Sequence, residues 1–206
     1  MPSPEADILQ GRAVDAILMA SGFSVRFGAQ NKLLQPFRGV PLAEYALAAA
    51  CQSNLFGQVF FVYAAPALLP LAQKYTAVPI HNANPGRGAC ESIRLGVSAS
   101  SADYYLFLQC DQPFVGKQLF AQLMALKKPG RIVVPVFEKQ QGSPVLFSSC
   151  FRQELLSLAD GENARSIKQR HPGGVIPCPV ASAFSLADID TPEDFERLEK
   201  ANFAPF

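Results

Sequence analysis

A chain of 206 residues with a formal net charge of +1, 49% hydrophobic and only 17% charged residues has ample apolar material for a core. It lacks the low-hydrophobicity, high-charge composition of disordered sequences. Its 18 lysines and arginines are scattered, so the basic footprint of a duplex nucleic-acid binder is missing, although a small anionic ligand needs no more than two or three well-placed cations. The length suits one α/β domain over residues 1–206.

The opening stretch "MPSPEADILQ" has acids and prolines where a secretory leader has a basic segment and an apolar run. A first strand is predicted at Val14–Met19, followed by a loop of small and cationic residues from Ala20 to Lys32. Pro41 then opens a helix whose Leu42, Tyr45, Ala46 and Ala49 share one face. The most apolar region, Val59 to Ala72, reads as a core strand, Gln58–Tyr63, running into a helix; Pro66 and Pro70 interrupt it, and it is too short to cross a bilayer. A strand at Tyr104–Leu108 leads to a helix carrying Leu119, Leu123 and Leu126, then to strands at Arg131–Phe137 and Pro144–Phe147. Leu155, Leu156 and Ala159 mark another helix, Val175–Val180 another strand. In the last helix Thr191 is the N-cap, Pro192 the first residue and Asp194 the partner three positions on.

Near-continuous apolar strands alternating with helices predict a three-layer α/β fold around a mainly parallel, mixed sheet covered on both faces. In such a sheet ligands bind beyond the carboxyl ends of the strands, which directs attention to the first loop. The five cysteines, Cys51, Cys90, Cys110, Cys150 and Cys178, are odd in number and form no C-x-x-C pair. They are expected to be buried thiols of a cytoplasmic protein, not a disulfide framework or a zinc ribbon.

In the loop "LMASGFSVRFGAQNKLL", Gly22 and Gly28 open the backbone, and Ala20, Ser21 and Ser24 let a ligand approach main-chain N–H groups. Arg26 and Lys32 add a forked donor and a point charge suited to phosphate oxygens. The loop is therefore a candidate polyphosphate cradle, although glycine-rich turns bearing a stray cation also occur on surfaces. The spacing G-x5-G-x3-K, with no hydroxyl after Lys32, is neither a P-loop nor G-x-G-x-x-G.

"LMASGFSVRFGAQNKLLQPFRGVPL" resembles the N-terminal motif of the nucleotidyltransferases similar to molybdenum cofactor biosynthesis enzymes. Further stretches match in order: "NPGRGACESIRLGV", "LFLQCDQPFV", "GSPVLF", "DGENARSIKQRHP" and "LADIDTPEDFERL". Within that family the likeness is greatest to the CTP:molybdopterin cytidylyltransferases and related accessory proteins of molybdenum hydroxylases, although Ser21 stands where those enzymes usually have alanine. The resemblance implies a Rossmann-like nucleotidyltransferase fold, with a nucleotide-binding half over about 13–115 and an acceptor-binding half over about 116–206. It also implies CTP and molybdopterin as substrates, with Mg2+ as cofactor and a molybdenum hydroxylase apo-enzyme as partner. Neither nucleic acid nor membrane is implied.

By the same resemblance, Ala20, Ser21, Gly22, Ser24, Arg26, Lys32, Gly88 and Ser92 contact the nucleotide, and Arg26, Lys32 and Asp111 carry catalysis. Gly142, Pro144, Asn163, Arg165 and Ser166 face the acceptor. Asp111, directly after an apolar strand, either caps a helix starting near Pro113 or projects at the ligand edge; the resemblance makes it a magnesium ligand. A hard-cation site wants a second carboxylate: Asp190 is the choice, with Asp188 two residues away on the same side as a competitor. His81 and His171 are the only histidines, and neither lies in the phosphate loop. That suits attack by an already ionised phosphate, which needs no general base. Two rivals remain: transfer to another phosphorylated acceptor such as a sugar phosphate, and a non-catalytic nucleotide or cofactor carrier.

Overall fold

The computed structural model describes residues 13–22, 27 and 31–201. In chain order the elements are β1 (Val14–Ala20), β2 (Pro36–Phe37), β3 (Val40–Pro41), α1 (Leu42–Gln52), β4 (Val59–Tyr63), α2 (Leu69–Lys74), β5 (Val78–His81), α3 (Ala89–Ala99), β6 (Tyr104–Gln109), α4 (Lys117–Ala125), β7 (Ile132–Phe137), β8 (Gln140–Gln141), β9 (Val145–Ser148), α5 (Arg152–Leu156), α6 (Ala164–Arg170), β10 (Val175–Pro179) and α7 (Pro192–Glu199).

The main sheet runs β10-β7-β9-β6-β1-β4-β5, with β8 paired to β7, while β2 and β3 form a separate two-stranded ribbon. β1 is flanked by β4 and β6, both parallel to it, and β5 continues the parallel half beyond β4. β9 runs antiparallel to both β6 and β7, and β10 pairs parallel with β7. The mainly parallel, mixed α/β sheet expected from the alternation of elements is therefore present. From β1 the chain first builds outward through β4 and β5 and then crosses back to β6, so the carboxyl ends of β1 and β6 enclose a topological switch point.

Both faces of β1 are covered, which is why "VDAILMA" reads as one apolar run. Val14, Ala16, Leu18 and Ala20 face one layer with Leu42, Ala46 and Leu47 of α1, Phe120 of α4 and Leu198 of α7. Ile17 points the other way, into a core with Cys90, Ile93 and Val97 of α3, Leu155 of α5 and Ile167 of α6. β5 went unrecognised in the sequence because "VPIH" is short and contains a proline; as an edge strand it tolerates Pro79 opposite Phe61. Thr191 and Asp194 close the expected capping box, Thr191 Oγ1 accepting from the Asp194 amide at 3.1 Å and Asp194 Oδ2 from the Thr191 amide at 3.2 Å. Among the described residues no helix is long and apolar enough to cross a membrane. The five cysteines are free thiols, three of them buried.

Close approach of α3 to β1 depends on Gly96, where an added Cβ would lie 2.3 Å from Ile17 Cγ2. Alanine in place of glycine within a helix normally stabilises by about 1 kcal/mol. Overpacking against a β-branched residue in a central strand costs about 1–3 kcal/mol, so Gly96→Ala is expected to destabilise. In urea denaturation of the four proteins of a double-mutant cycle, Ile17→Ala should cost less in the Gly96→Ala background than in the wild type; equal costs would contradict the contact.

Candidate active site

Ala20 ends β1, buried, and Ser21 follows with its hydroxyl donating to the Val62 carbonyl on β4 at 3.1 Å. The serine side chain thus pins the loop to the neighbouring strand, leaving its backbone and Gly22 beside the ligand edge. Ser24, Arg26 and Gly28 lie outside the described residues. The chain re-enters at Asn31, whose side chain accepts from the Leu33 amide at 3.0 Å and caps the short turn Lys32–Leu34. That turn directs Lys32 inward.

Lys32 Nζ donates to Asp111 Oδ2 at 2.8 Å, to the Ile189 carbonyl at 2.7 Å and to Asp190 Oδ1 at 3.0 Å. Asp111 lies just past the end of β6, Asp190 immediately before the N-cap of α7, and the Ile189 amide donates to the Asp111 carbonyl at 3.0 Å. Because α4 begins only at Lys117 with Gly116 as N-cap, Asp111 does not cap it and stands just beyond the carboxyl end of β6. Cys110 is buried beside it.

Burial opposes the Lys32 charge, but Asp111 and Asp190 together hold its pKa above the usual lysine value. Burial lifts Asp111 above the usual carboxylate range, and the pull of Lys32 does not cancel it. Asp188 is raised as well, by burial and then by the negative charges of Asp111 and Asp190. Three carboxylates thus act on one another around a single described ammonium. Asp111 Oδ1 is buried and has no hydrogen-bond partner among the described residues, an arrangement that ordinarily costs about 1–3 kcal/mol. These features fit a further cation beside the one ammonium among the described residues. Among the described residues no group of three or more His, Cys, Asp or Glu side chains is disposed as a complete metal cage. Asp111, with Asp190 or Asp188, could hold a divalent ion only with ligands from substrate phosphates and water, the usual habit of magnesium.

Two cavities share Met19, Ala89 and Gln109 as a common wall. The smaller, about 160 Å³, is lined by Ser21, Gly22, Pro85, Gly88 and Ser92. Ser92 Oγ accepts from Asn82 Nδ2 at 3.3 Å, and Gly88 has φ +91°, a conformation side chains other than glycine rarely adopt. The larger, about 360 Å³, includes Gly142, Asn163, Arg165, Lys168 and Asp188 in its lining. It draws on both halves of the chain: Ile93 and Phe107 contribute as well as Val145 and Leu186.

Of the expected acceptor residues, Pro144 is buried and Ser166 half-buried, and neither is part of that lining. Asn163 spends its side-chain oxygen on the Arg165 amide, at 2.9 Å, as N-cap of α6. Neither histidine lines either of these two cavities; His171 contacts Glu154 Oε1 at 2.8 Å. Sequence reasoning passed over Gln109, Gln112, Gln140 and Gln141, which line the larger cavity, because isolated glutamines carry no spacing signal. Gln112 Nε2 donates to the Ser143 and Leu186 carbonyls at 3.4 and 3.3 Å, while its Oε1 is buried without a partner among the described residues.

Comparison with known proteins gives a consistent result. The family described as MobA-like NTP transferase domain matches residues 16–175. The purine catabolism protein PucB of Bacillus subtilis (strain 168) is 29% identical over 203 residues, covering 90% of this chain and 95% of that protein. The molybdenum cofactor guanylyltransferase of Ralstonia nicotianae is 29% identical over 201 residues, with the same 90% and 95% coverage. Among solved structures, a nucleotidyl transferase from Methanothermobacter superposes with a TM-score of 0.80 at 18% identity, covering 92% of this chain and 97% of the other, a likeness of fold.

The Lys32 cluster sets a stability test. Lys32→Met removes the donor shared by Asp111, Asp190 and the Ile189 carbonyl, and is expected to cost about 3 kcal/mol at pH 7, as when one member of a buried pair is deleted. Asp111 has a raised folded pKa, so its favourable contribution is complete below the unfolded value and is lost as pH rises through the folded one. Removing Lys32 enlarges that loss. The deficit of Lys32→Met, followed by denaturant titration, should therefore narrow as pH falls from 7 towards 4; a deficit independent of pH would contradict the charge coupling.

Proposed function

Because this chain belongs to the MobA-like NTP transferase domain family, we propose that it is a nucleotidyltransferase moving CMP from CTP to the terminal phosphate of molybdopterin, with release of pyrophosphate. The observation that carries this reading is the gathering of Lys32, Asp111, Asp188 and Asp190 at the carboxyl ends of the strands, with Asp188 in the wall of the larger cavity. In this reading the smaller cavity takes the nucleotide at Ala20, Ser21, Gly22, Gly88 and Ser92. The larger takes the acceptor at Gly142, Asn163 and Arg165, with Pro144 and Ser166 shaping the same segments from behind.

An oxygen of the acceptor phosphate attacks the α-phosphorus of CTP. The bond from that phosphorus to the bridging oxygen breaks, and pyrophosphate carries away the electron pair. The attacking phosphate is ionised at neutral pH, so the chain need supply no base. Its contribution is placement and charge: Lys32 neutralises the developing charge at the α-phosphate, Arg26 and the main chain around Ser21 to Ser24 hold the outer phosphates, and the cavity wall positions the acceptor. A bound Mg2+, held by Asp111 with Asp190 or Asp188, would supply Lewis-acid neutralisation of the phosphate oxygens. Molybdopterin as acceptor, and a molybdenum hydroxylase apo-enzyme as the client of the product, are supported by the ordered motifs and by the relative named a molybdenum cofactor guanylyltransferase. That relative also makes GTP the chief competitor for the nucleotide site.

Pyrophosphate release measured with each nucleoside triphosphate, with and without molybdopterin carrying molybdate, tests the reading. Release should require CTP and the pterin together. Preference for GTP would reassign the base, and tight nucleotide binding without release in any combination would favour a carrier. Asp111→Asn should lower turnover by about 10²–10³, the usual cost of one electrostatic contact to the reacting group, while retaining nucleotide binding. Mg2+ should raise the thermal midpoint of the wild type, since a ligand that binds only the folded state stabilises it; in Asp111→Asn that rise should vanish.

A further inference from the structure

Arg165 and Lys168 lie three residues apart on α6, and both line the larger cavity, the spacing that brings two helix side chains together. Lys168 is half-buried, and its Nζ donates to the neutral Gln141 Oε1 at 3.2 Å. Neither cation has a carboxylate partner among the described residues. Cations nearby are treated differently: Arg170 pairs with Glu162 at 3.8 Å, Arg94 with Glu91 at 2.7 Å and Asp160 at 3.1 Å, and Arg87 with both of those acids at 3.7 Å. Those facing the cavity are left uncompensated. Burial and the neighbouring Arg165 charge depress the Lys168 pKa, the mark of a cation short of an anion.

The position of this pair relative to the reacting group matters. Arg165 and Lys168 stand in the wall of the larger cavity, whereas of the group Lys32, Asp111, Asp188 and Asp190 only Asp188 reaches that wall. The cationic pair on α6 therefore faces the cavity, while Lys32 and Asp111 lie outside its lining. With the reacting phosphate beside Lys32 and the carboxylates, Arg165 and Lys168 are left to a different anionic group.

We propose that Arg165 and Lys168 form a second oxyanion-binding subsite that holds an anionic group of the acceptor other than the phosphate that reacts. The inference rests on the assignment of the larger cavity to the acceptor and adds a requirement to it: a good acceptor carries negative charge at two separated places. An acceptor with a lone phosphate leaves the pair unneutralised and binds poorly.

The test uses inorganic phosphate as the probe, titrated into the full chain at constant ionic strength and followed through the backbone amide resonances of Gln141, Arg165 and Lys168. Saturable shifts at these amides are expected. Half-saturation should move to about tenfold higher phosphate in Arg165→Met and in Lys168→Met, the loss of roughly one charge-assisted contact, with Lys168→Arg restoring most of the affinity. Shifts confined to residues around Lys32 and Asp111, or a titration unaffected by either methionine, would overturn the subsite. Turnover is read separately: where molybdopterin is used, Lys168→Met should raise its KM while leaving the KM for CTP unchanged. A wild type that never turns molybdopterin over counts against the proposed reaction and leaves the phosphate titration to judge the subsite.

Discussion

A buried ammonium persists only where acceptors surround it, and Lys32 finds them on segments 79, 157 and 158 positions away in the chain. Asp111 comes from the end of β6 and the Ile189 carbonyl and Asp190 from the strap before α7, so one side chain fastens the first loop to the end of the fold. The contact with Ile189 is to backbone, which fixes that strap whatever the protonation state of the carboxylates. The capping box of Thr191 and Asp194 then begins α7 directly after Asp190, so the carboxylate stands on a defined turn. Positioning of this kind is what phosphoryl chemistry without a general base requires.

The same cluster is costly to the folded protein. Burial and the neighbouring negative charges push Asp111 and Asp188 above the usual carboxylate range, and Asp111 Oδ1 has no donor among the described residues. A chain selected for stability alone would place a neutral or apolar residue there; stability forgone at one point and recovered in a dense core is the usual signature of a functional site. The recovery is visible in the two apolar layers on the sheet, including the direct contact of Gly96 with Ile17.

Much of the frame was legible in the amino-acid sequence because burial on both sheet faces leaves unbroken apolar runs, and because Thr191-Pro192 and Asp194 state a helix start in local chemistry. Asp111 stood out for a similar reason, as a polar residue directly after such a run, and Lys32 as a cation in a loop of small residues. What the sequence did not disclose is long-range: the insertion of antiparallel β9 between β6 and β7, and the edge strand β5, whose only signals were two apolar residues and a misleading proline. Nor did it distinguish Asn163 as a helix cap from Asn163 as a ligand contact, since a side chain suited to one is suited to the other. The glutamines around the larger cavity gather only after folding.

The two cavities are joined by more than a common wall. The Gly161 amide donates to the Arg87 carbonyl at 2.9 Å, and Arg94 reaches the Leu158 carbonyl at 2.9 Å and Asp160 at 3.1 Å. These contacts fasten the segment leading into α6 to the turn that carries Gly88. The turn at Gly88 and the segment leading to Asn163 and Arg165 thus belong to one hydrogen-bonded unit with a cavity on either side. In the proposed transfer, which needs both substrates aligned at once, such a shared unit fixes the two cavities relative to each other.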